Sequence, residues 1–416
     1  VSAEFRIGTG ALGDSRLHLH DRRGGGDGRG GGDGGRDVVF VFSYVTWRAA
    51  ARRGWFMPED RLARALVTHP RVRRVLVCEH PRSLPIRLAR DLAELPPGRE
   101  RAEFPASERA QLLRPVRLRR RDPVSLRGVA RMAGAWDRAL ARAVARMDMH
   151  EPTVIVNHPL LAGFGELRWA RAVTFYASDD WAAYPPHRRW WPAYNESFAA
   201  VRVRRRRVVS VSETLRERLA PTGPSAVVPN GLEPSEWIGD PTPPAWQRDM
   251  LRPLLLYVGS LDARLDIPGL VAVARALPQA TVVLAGPLLD AAHLSPLRAE
   301  PNVEVHAALP RAAIAGLIRV ADVGLIPHLR SPLTEAMSPL KLYEYLAGGL
   351  PVVGADLAPL RGVDPRVLLV GDSAGYPAAV GRALALGLAP EDERLTFVQT
   401  NSWAARHERL LDLALA

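Results

Sequence analysis

The chain has 416 residues, 47% of them hydrophobic, a formal net charge of +12 and a single cysteine. That length predicts two or three domains with real cores, so a chain disordered throughout is excluded. Cys78 alone excludes an intrachain disulfide, no apolar run approaches the roughly 20 residues that span a bilayer, and Val1-Ser2-Ala3-Glu4 lacks a signal-peptide pattern. A cytoplasmic protein is expected.

Residues 1–37 contain Gly24-Gly25-Gly26-Asp27-Gly28 and more of the same, a tract that cannot bury enough apolar area to order itself, and the prediction is a flexible tail. Gly8-Thr9-Gly10-Ala11-Leu12-Gly13 matches a dinucleotide fingerprint by letter. It has no strand before it and no apolar-periodic helix after it, so it is read as coincidental.

From residue 38 strands and helices alternate. Strands are predicted over 38–45, 72–77, 154–156, 173–176 and 208–211, and helices over 59–66, 87–95, 132–147 and 213–219, with a basic stretch at 114–121. Pro229-Asn230-Gly231 closes this block and a Pro-rich linker follows over 234–252. The alternation then restarts, with strands over 254–258, 281–285, 303–306, 323–326 and 352–353 and helices over 270–277 and 311–320. The fold class is therefore α/β: two doubly wound, Rossmann-like domains, 38–233 and 253–389, facing each other across a cleft. Residues 390–416 are predicted to be a helix closing onto the first domain.

Charge is distributed unevenly. Residues 38–232 hold 35 arginines against 18 acids, whereas 233–416 hold 15 basic and 20 acidic residues. A half with this excess suits an anionic membrane surface and peripheral association with the inner membrane face, the alternative being an ordinary solvated face.

Ser338-Pro339-Leu340-Lys341-Leu342-Tyr343-Glu344-Tyr345-Leu346-Ala347-Gly348-Gly349 reads as a complete helix: Ser338 as cap, Pro339 at the first helical position and Gly348-Gly349 as the stop. Lys341 is the only lysine among 56 basic residues. A cation in the first turn opposes the helix dipole unless an anion binds there, so Lys341 and the free amides predict a phosphate site, and Glu344 one turn on would accept from sugar or ribose hydroxyls. The alternative is a lone surface lysine. Gly259 and Gly286 each end a predicted strand of the second sheet and would admit a ligand there, with Ser260 beside the first. Arg264 could reach the same phosphate as Lys341, or instead pair with Asp266. His158, Asp179 and Asp180 follow strands of the first sheet and are candidates on the acceptor side, against a helix-capping or packing role.

Pro229-Asn230-Gly231, Tyr257-Val258-Gly259 with Arg264, Ala321-Asp322-Val323-Gly324-Leu325-Ile326-Pro327, and Ser338-Pro339-Leu340-Lys341 with Glu344 and Leu350-Pro351-Val352-Val353 together resemble the group 1, family 4-like glycosyltransferases of the GT-B fold. The teichuronic-acid-biosynthesis type is the most similar. The resemblance implies transfer of a sugar from a nucleotide-diphosphate donor to a glycan or lipid-linked acceptor. It further implies a retaining, metal-independent and cofactor-free reaction, serving the cell envelope or an exopolysaccharide. Arg264 and Lys341 would hold the diphosphate, Glu344 the ribose, and Ser338, Pro339, Leu340, Gly259, Ser260 and Gly286 would complete the donor site. The family places another Glu eight positions before the ribose-binding one; Ala336 stands here, and neighbouring Glu335 is the candidate substitute. A GT-B sugar-nucleotide epimerase would need clustered carboxylates, which the sequence does not display. A non-catalytic polyanion binder would use 114–121 and 202–207, but without aromatic interleaving, so nucleic acid is not an expected partner.

Overall fold

The computed structural model describes residues 35–85, 103–118, 121–239 and 241–416. The Gly8 to Gly13 fingerprint, the glycine-rich tract up to 34, the helix expected over 87–95, residues 119 and 120 of the basic stretch and residue 240 of the linker lie outside them.

Short runs of β-branched and aliphatic residues, buried on both faces, build the strands of the first half. These are β1 (Arg36–Val41), β2 (Val72–Cys78), β3 (Arg82–Ser83), β4 (Ala110–Leu113), β5 (Val116–Arg117), β6 (Thr153–Val156), β7 (Ala172–Ala177), β8 (Arg207–Ser210) and β9 (Ser225–Val227). Seven of them form one sheet in the order β4-β2-β1-β6-β7-β8-β9, every neighbouring pair parallel; β3 and β5 pair separately. The strand starts at Arg36, inside the stretch read as tail. Asp37 there is buried and accepts from Arg73 at 2.9 Å and from the His150 amide at 3.0 Å.

The second sheet comprises β10 (Leu254–Val258), β11 (Thr281–Ala285), β12 (Val303–His306), β13 (Val323–Ile326), β14 (Val352–Ala355) and β15 (Val367–Val370). It is parallel throughout, in the order β12-β11-β10-β13-β14-β15. Alternation along β10 explains its two covered faces: Leu254, Leu256 and Val258 join one core cluster and Leu255 and Tyr257 the other. In this order the direction of winding reverses between β10 and β13. The crevice at the carboxyl ends of those two strands is where a doubly wound sheet binds its ligand.

Three departures from the predicted elements have physical causes. The helix expected over 132–147 starts earlier, at Leu126, because Ser125 caps it by accepting from the Gly128 amide at 3.3 Å. The helix Trp191–Val203 was not anticipated, since its aromatic start and modest amphipathicity blur the helical period. The C-terminal segment is two helices, broken at Asn401. Glu391–Thr400 lies on the second half, where Phe397 stacks on Tyr343, and Trp403–Leu415 lies on the first sheet, with Leu410, Leu411 and Ala414 in its core. Gly231 lets the chain cross under this return, because a Cβ there would sit 3.0 Å from the Arg406 side chain.

Candidate functional site

The helix that carries the lysine spans Leu340–Ala347. Two expected details are corrected. Pro339 is the N-cap rather than the first helical residue, and Ser338 does not cap. The Ser338 hydroxyl instead accepts from the Asn230 amide at 3.1 Å, and the Asn230 side chain donates to the Ser338 carbonyl at 2.6 Å. Asn230, in the segment joining the two sheets, thus pins the entrance of the helix. Inside it, Tyr345 reaches under β10 to accept from the Val258 amide at 2.7 Å, and Gly324 makes the passage possible, since a Cβ there would lie 2.4 Å from the Tyr345 ring. Gly349, at φ +85°, reverses the chain into β14.

Lys341, in the first turn, extends to the end of β10. Its Nζ donates to the Tyr257 hydroxyl at 2.9 Å, lies 3.3 Å from His328 Nε2, and sits 4.1 Å from the centre of the Tyr257 ring. Both partners are neutral groups. Burial, and then the neighbouring Arg264 guanidinium, lower the Lys341 pKa to about 7. Gly259, at φ +144°, leaves room for this ammonium, because a Cβ would stand 2.6 Å from Nζ. Gly286 closes against Gly259 in turn: its own Cβ would stand 1.9 Å from the Gly259 carbonyl oxygen. The Ser260 carbonyl accepts from the Tyr257 hydroxyl at 3.0 Å. Lys341, Gly259, Ser260 and Gly286 are therefore brought together at the reversal point of the second sheet.

Arg264 joins them from the loop after β10. Its partner is Asp262, at 2.8 Å, and not Asp266; the latter caps the helix Ile267–Ala276 by accepting from Gly269 at 2.9 Å. Across the gap, Asp179 follows β7, and burial raises its pKa to about 6 against the opposing pull of Arg264. Asp180 is committed elsewhere: fully buried, it pairs with Arg218 at 2.9 Å and accepts from the Ala182 amide at 3.1 Å. His158 is also fully buried, at the N-terminus of the helix Pro159–Phe164.

Glu344 stands on the buried side of its helix and pairs with Arg311 at 2.5 Å, while Arg311 also pairs with Glu236 at 2.5 Å. Glu236 continues to Arg61 in the first half, again at 2.5 Å. The row of charges connects the two sheets. Arg311→Ala leaves Glu344 without a counter-charge, so unfolding in urea should show a loss of about 2 kcal/mol, the partial exposure of Arg311 keeping it below the value for a fully buried pair. Glu335 is engaged by other partners: it accepts from the Ala358 amide at 2.8 Å and pairs with Arg330 at 2.6 Å. Ala336 is buried against the first half, its carbonyl accepting from Ser212 at 2.5 Å.

Tyr257, His328, Asp262, Arg311 and Asn230 were missed as site residues. His328 was legible in principle as a polar residue just beyond the carboxyl end of a strand, whereas Arg311 carries no local signal.

Two all-parallel, doubly wound sheets can be compared with solved structures. The alpha,alpha-trehalose 6-phosphate synthase of Burkholderia multivorans superposes with a TM-score of 0.63 at 15% identity, over 92% of this chain and 98% of that one. The fold is GT-B. The sucrose-phosphate synthase of Thermosynechococcus elongatus gives 0.63 at 17% identity, over 91% and 98% of the two GT-B chains. A Burkholderia xenovorans trehalose-phosphate synthase solved with glucose-6-phosphate gives 0.59 at 15%, over 91% and 100%. By sequence, TuaH of Bacillus subtilis (strain 168), named as a candidate teichuronic acid biosynthesis glycosyltransferase, is 31% identical over 106 residues. That match spans 25% of this chain and 27% of TuaH. No family model matches.

Proposed function

We propose that this chain is a glycosyltransferase that moves a sugar from a nucleoside-diphosphate donor to a glycan or lipid-linked acceptor, with retention and without a metal ion, in the synthesis of a cell-envelope or exported polysaccharide. The observation that carries the reading is Lys341 Nζ, held by a hydroxyl and an imidazole beside Gly259 at the reversal point of a doubly wound sheet. A pyrophosphate placed there would give this ammonium the direct ionic contact that its hydroxyl and imidazole partners do not, with the first amides of the helix on one side and Arg264 on the other. As the glycosidic bond breaks, negative charge grows on the leaving oxygen. Fixed cations and amides aimed at that oxygen stabilise the transition state more than the ground state. Metal independence is proposed on this cation pair, which would supply the positive charge that a divalent ion otherwise brings to a diphosphate leaving group. Glu344 would serve the ribose after giving up part of its pairing with Arg311.

A thermal-shift screen with nucleotide sugars tests the assignment, since a ligand bound only by the folded form raises the midpoint. At least one nucleotide sugar should stabilise the protein, and its affinity should fall as pH rises from 6.5 to 8.5. The sign follows from the lysine: with a free-state pKa of about 7, it must take up a proton to meet the diphosphate at the higher pH. An unchanged midpoint with every nucleotide would remove the proposal.

The anionic membrane surface is proposed as a partner of the first half. No helix among the described residues is long and apolar enough to cross a membrane. Exposed apolar side chains instead gather at Val116, Leu118, Val124 and Leu126, with exposed arginines at 121, 127 and 131 beside them, a mixture that suits a lipid interface. Flotation with vesicles containing phosphatidylglycerol should recover the protein at low salt and much less at 0.5 M salt, whereas neutral vesicles should recover little. Equal recovery from both vesicle types would count against it.

A further inference from the structure

The first sheet also reverses its winding, between β1 and β6, and the residues just beyond the carboxyl ends of its central strands form one aromatic group. Tyr44 follows β1, His80 follows β2 and His158 follows β6. The Tyr44 ring lies 4.6 Å from that of His158, 5.2 Å from His80, 5.1 Å from Trp181 and 5.0 Å from His187, and His80 and His158 stack at 4.9 Å. Tyr44, Trp181 and His187 are half-buried and lie towards solvent; His80 and His158 are buried beneath them.

The group is well connected on one side and unsatisfied on the other. Tyr44 and Tyr194 share a hydroxyl contact of 2.7 Å, and His187 Nδ1 lies 2.8 Å from the Tyr194 hydroxyl. By contrast, His80 Nδ1, both nitrogens of His158 and Trp181 Nε1 are buried with no hydrogen-bond partner among the described residues. Each such atom costs about 1–3 kcal/mol if it stays unpaired, so a hydrogen-bonding partner gained here is favourable.

We propose that Tyr44, Trp181 and His187, backed from beneath by His80 and His158, bind an uncharged, hydroxyl-bearing sugar ring of the acceptor, and not a sugar phosphate. This rests on the glycosyltransferase reading above and adds the chemical class of its second substrate. A neutral imidazole offers one donor and one acceptor, which pairs with an alcohol that is itself both; a phosphate needs donors only. Burial, then neighbouring histidines, keep His158 far below its ordinary pKa, and burial with the nearby Arg189 brings His187 down to about 4, so both remain neutral. Flanking cations are committed: Arg117 pairs with Asp122 at 2.9 Å, although its Nη1 has no hydrogen-bond partner, and Arg189 lies over the Trp190 ring at 4.1 Å. Ring faces beside a few polar groups suit the C–H face and hydroxyls of a sugar. The group also leads to the donor side. Tyr184 meets the His187 ring edge-on at 5.3 Å between ring centres, and its phenol feels the charges of Asp179, Arg264 and Asp262.

Saturation-transfer NMR on the full chain tests this, with a panel of neutral methyl glycosides against glucose 6-phosphate at equal concentration. At least one neutral glycoside should receive saturation and glucose 6-phosphate should not. Trp181→Ala should weaken the glycoside signal about tenfold while leaving the thermal shift by a nucleoside diphosphate unchanged, which shows that the variant is folded. If Trp181→Ala does not fold, His187→Ala carries the same expectation. Stronger transfer to glucose 6-phosphate, or no transfer to any glycoside in a protein that a nucleoside diphosphate stabilises, overturns the inference and leaves the donor reading standing. Absence of any nucleotide effect overturns the donor reading instead.

Discussion

Replacing Lys341 with methionine should lower kcat/KM for sugar transfer by about 10²–10³, the loss typical of removing one preorganised group that meets developing negative charge. Neither group that holds the ammonium would compensate, since Tyr257 and His328 carry no positive charge to offer, and Arg264 would meet the diphosphate from the other side and not at the position Lys341 vacates. The same substitution should not destabilise the free protein. Burial of the charged form is unfavourable, as the pKa of about 7 records, so an apolar side chain of similar length relieves it. The linkage gives an independent check. The folded-state pKa lies below the unfolded value of 10.5, so the unfolded chain binds more protons between pH 7 and 10.5, and this group makes stability rise across that window. Urea denaturation at pH 7 and pH 9.5 should show the rise in the wild type and a smaller one in Lys341→Met. A variant that keeps both the transfer rate and the pH slope would disprove the role.

Gly286→Ala should be the most damaging single methyl group in the second half. Its Cβ would stand 1.9 Å from the Gly259 carbonyl oxygen, backbone on backbone, so no side-chain rotation can relieve the clash. Forcing the ends of β10 and β11 apart should cost about 2–3 kcal/mol, in the range for overpacked sites. Because Gly259 in turn borders the Lys341 ammonium, donor affinity should fall at least tenfold as well. Gly381→Ala serves as the control. It lies on an exposed helical face with nothing within 4 Å of the added carbon, and should stabilise by about 0.5–1 kcal/mol. Equal melting temperatures for the two variants would show that the close approach at Gly286 carries no weight.

The strands were legible wherever β-branched residues ran together, as at Val352 and Val353, because strands covered on both faces need no alternation to reveal them. Short or mixed strands were not: β4 and β9 have three or four residues with ordinary composition, and only the neighbours they pair with make them strands. Ser338 was misread for a related reason. A serine before a proline-led helix has the local chemistry of a cap, and Asn230, 108 residues away in sequence, claimed the hydroxyl first.

By itself the sequence determined that two α/β units follow one another, that Lys341 opens a helix of the second, and that Gly259 and Gly286 end strands beside it. Periodicity and helix-end chemistry are local, and they survive without coordinates. Only the tertiary structure decided what each charge faces: Arg264 towards Asp262 rather than Asp266, Glu344 towards Arg311, Glu335 towards Arg330, and His158 within an aromatic group. Pairing of charges depends on which strand ends converge at the point where a sheet reverses its winding, and that convergence is a property of the assembled sheet rather than of any segment within it.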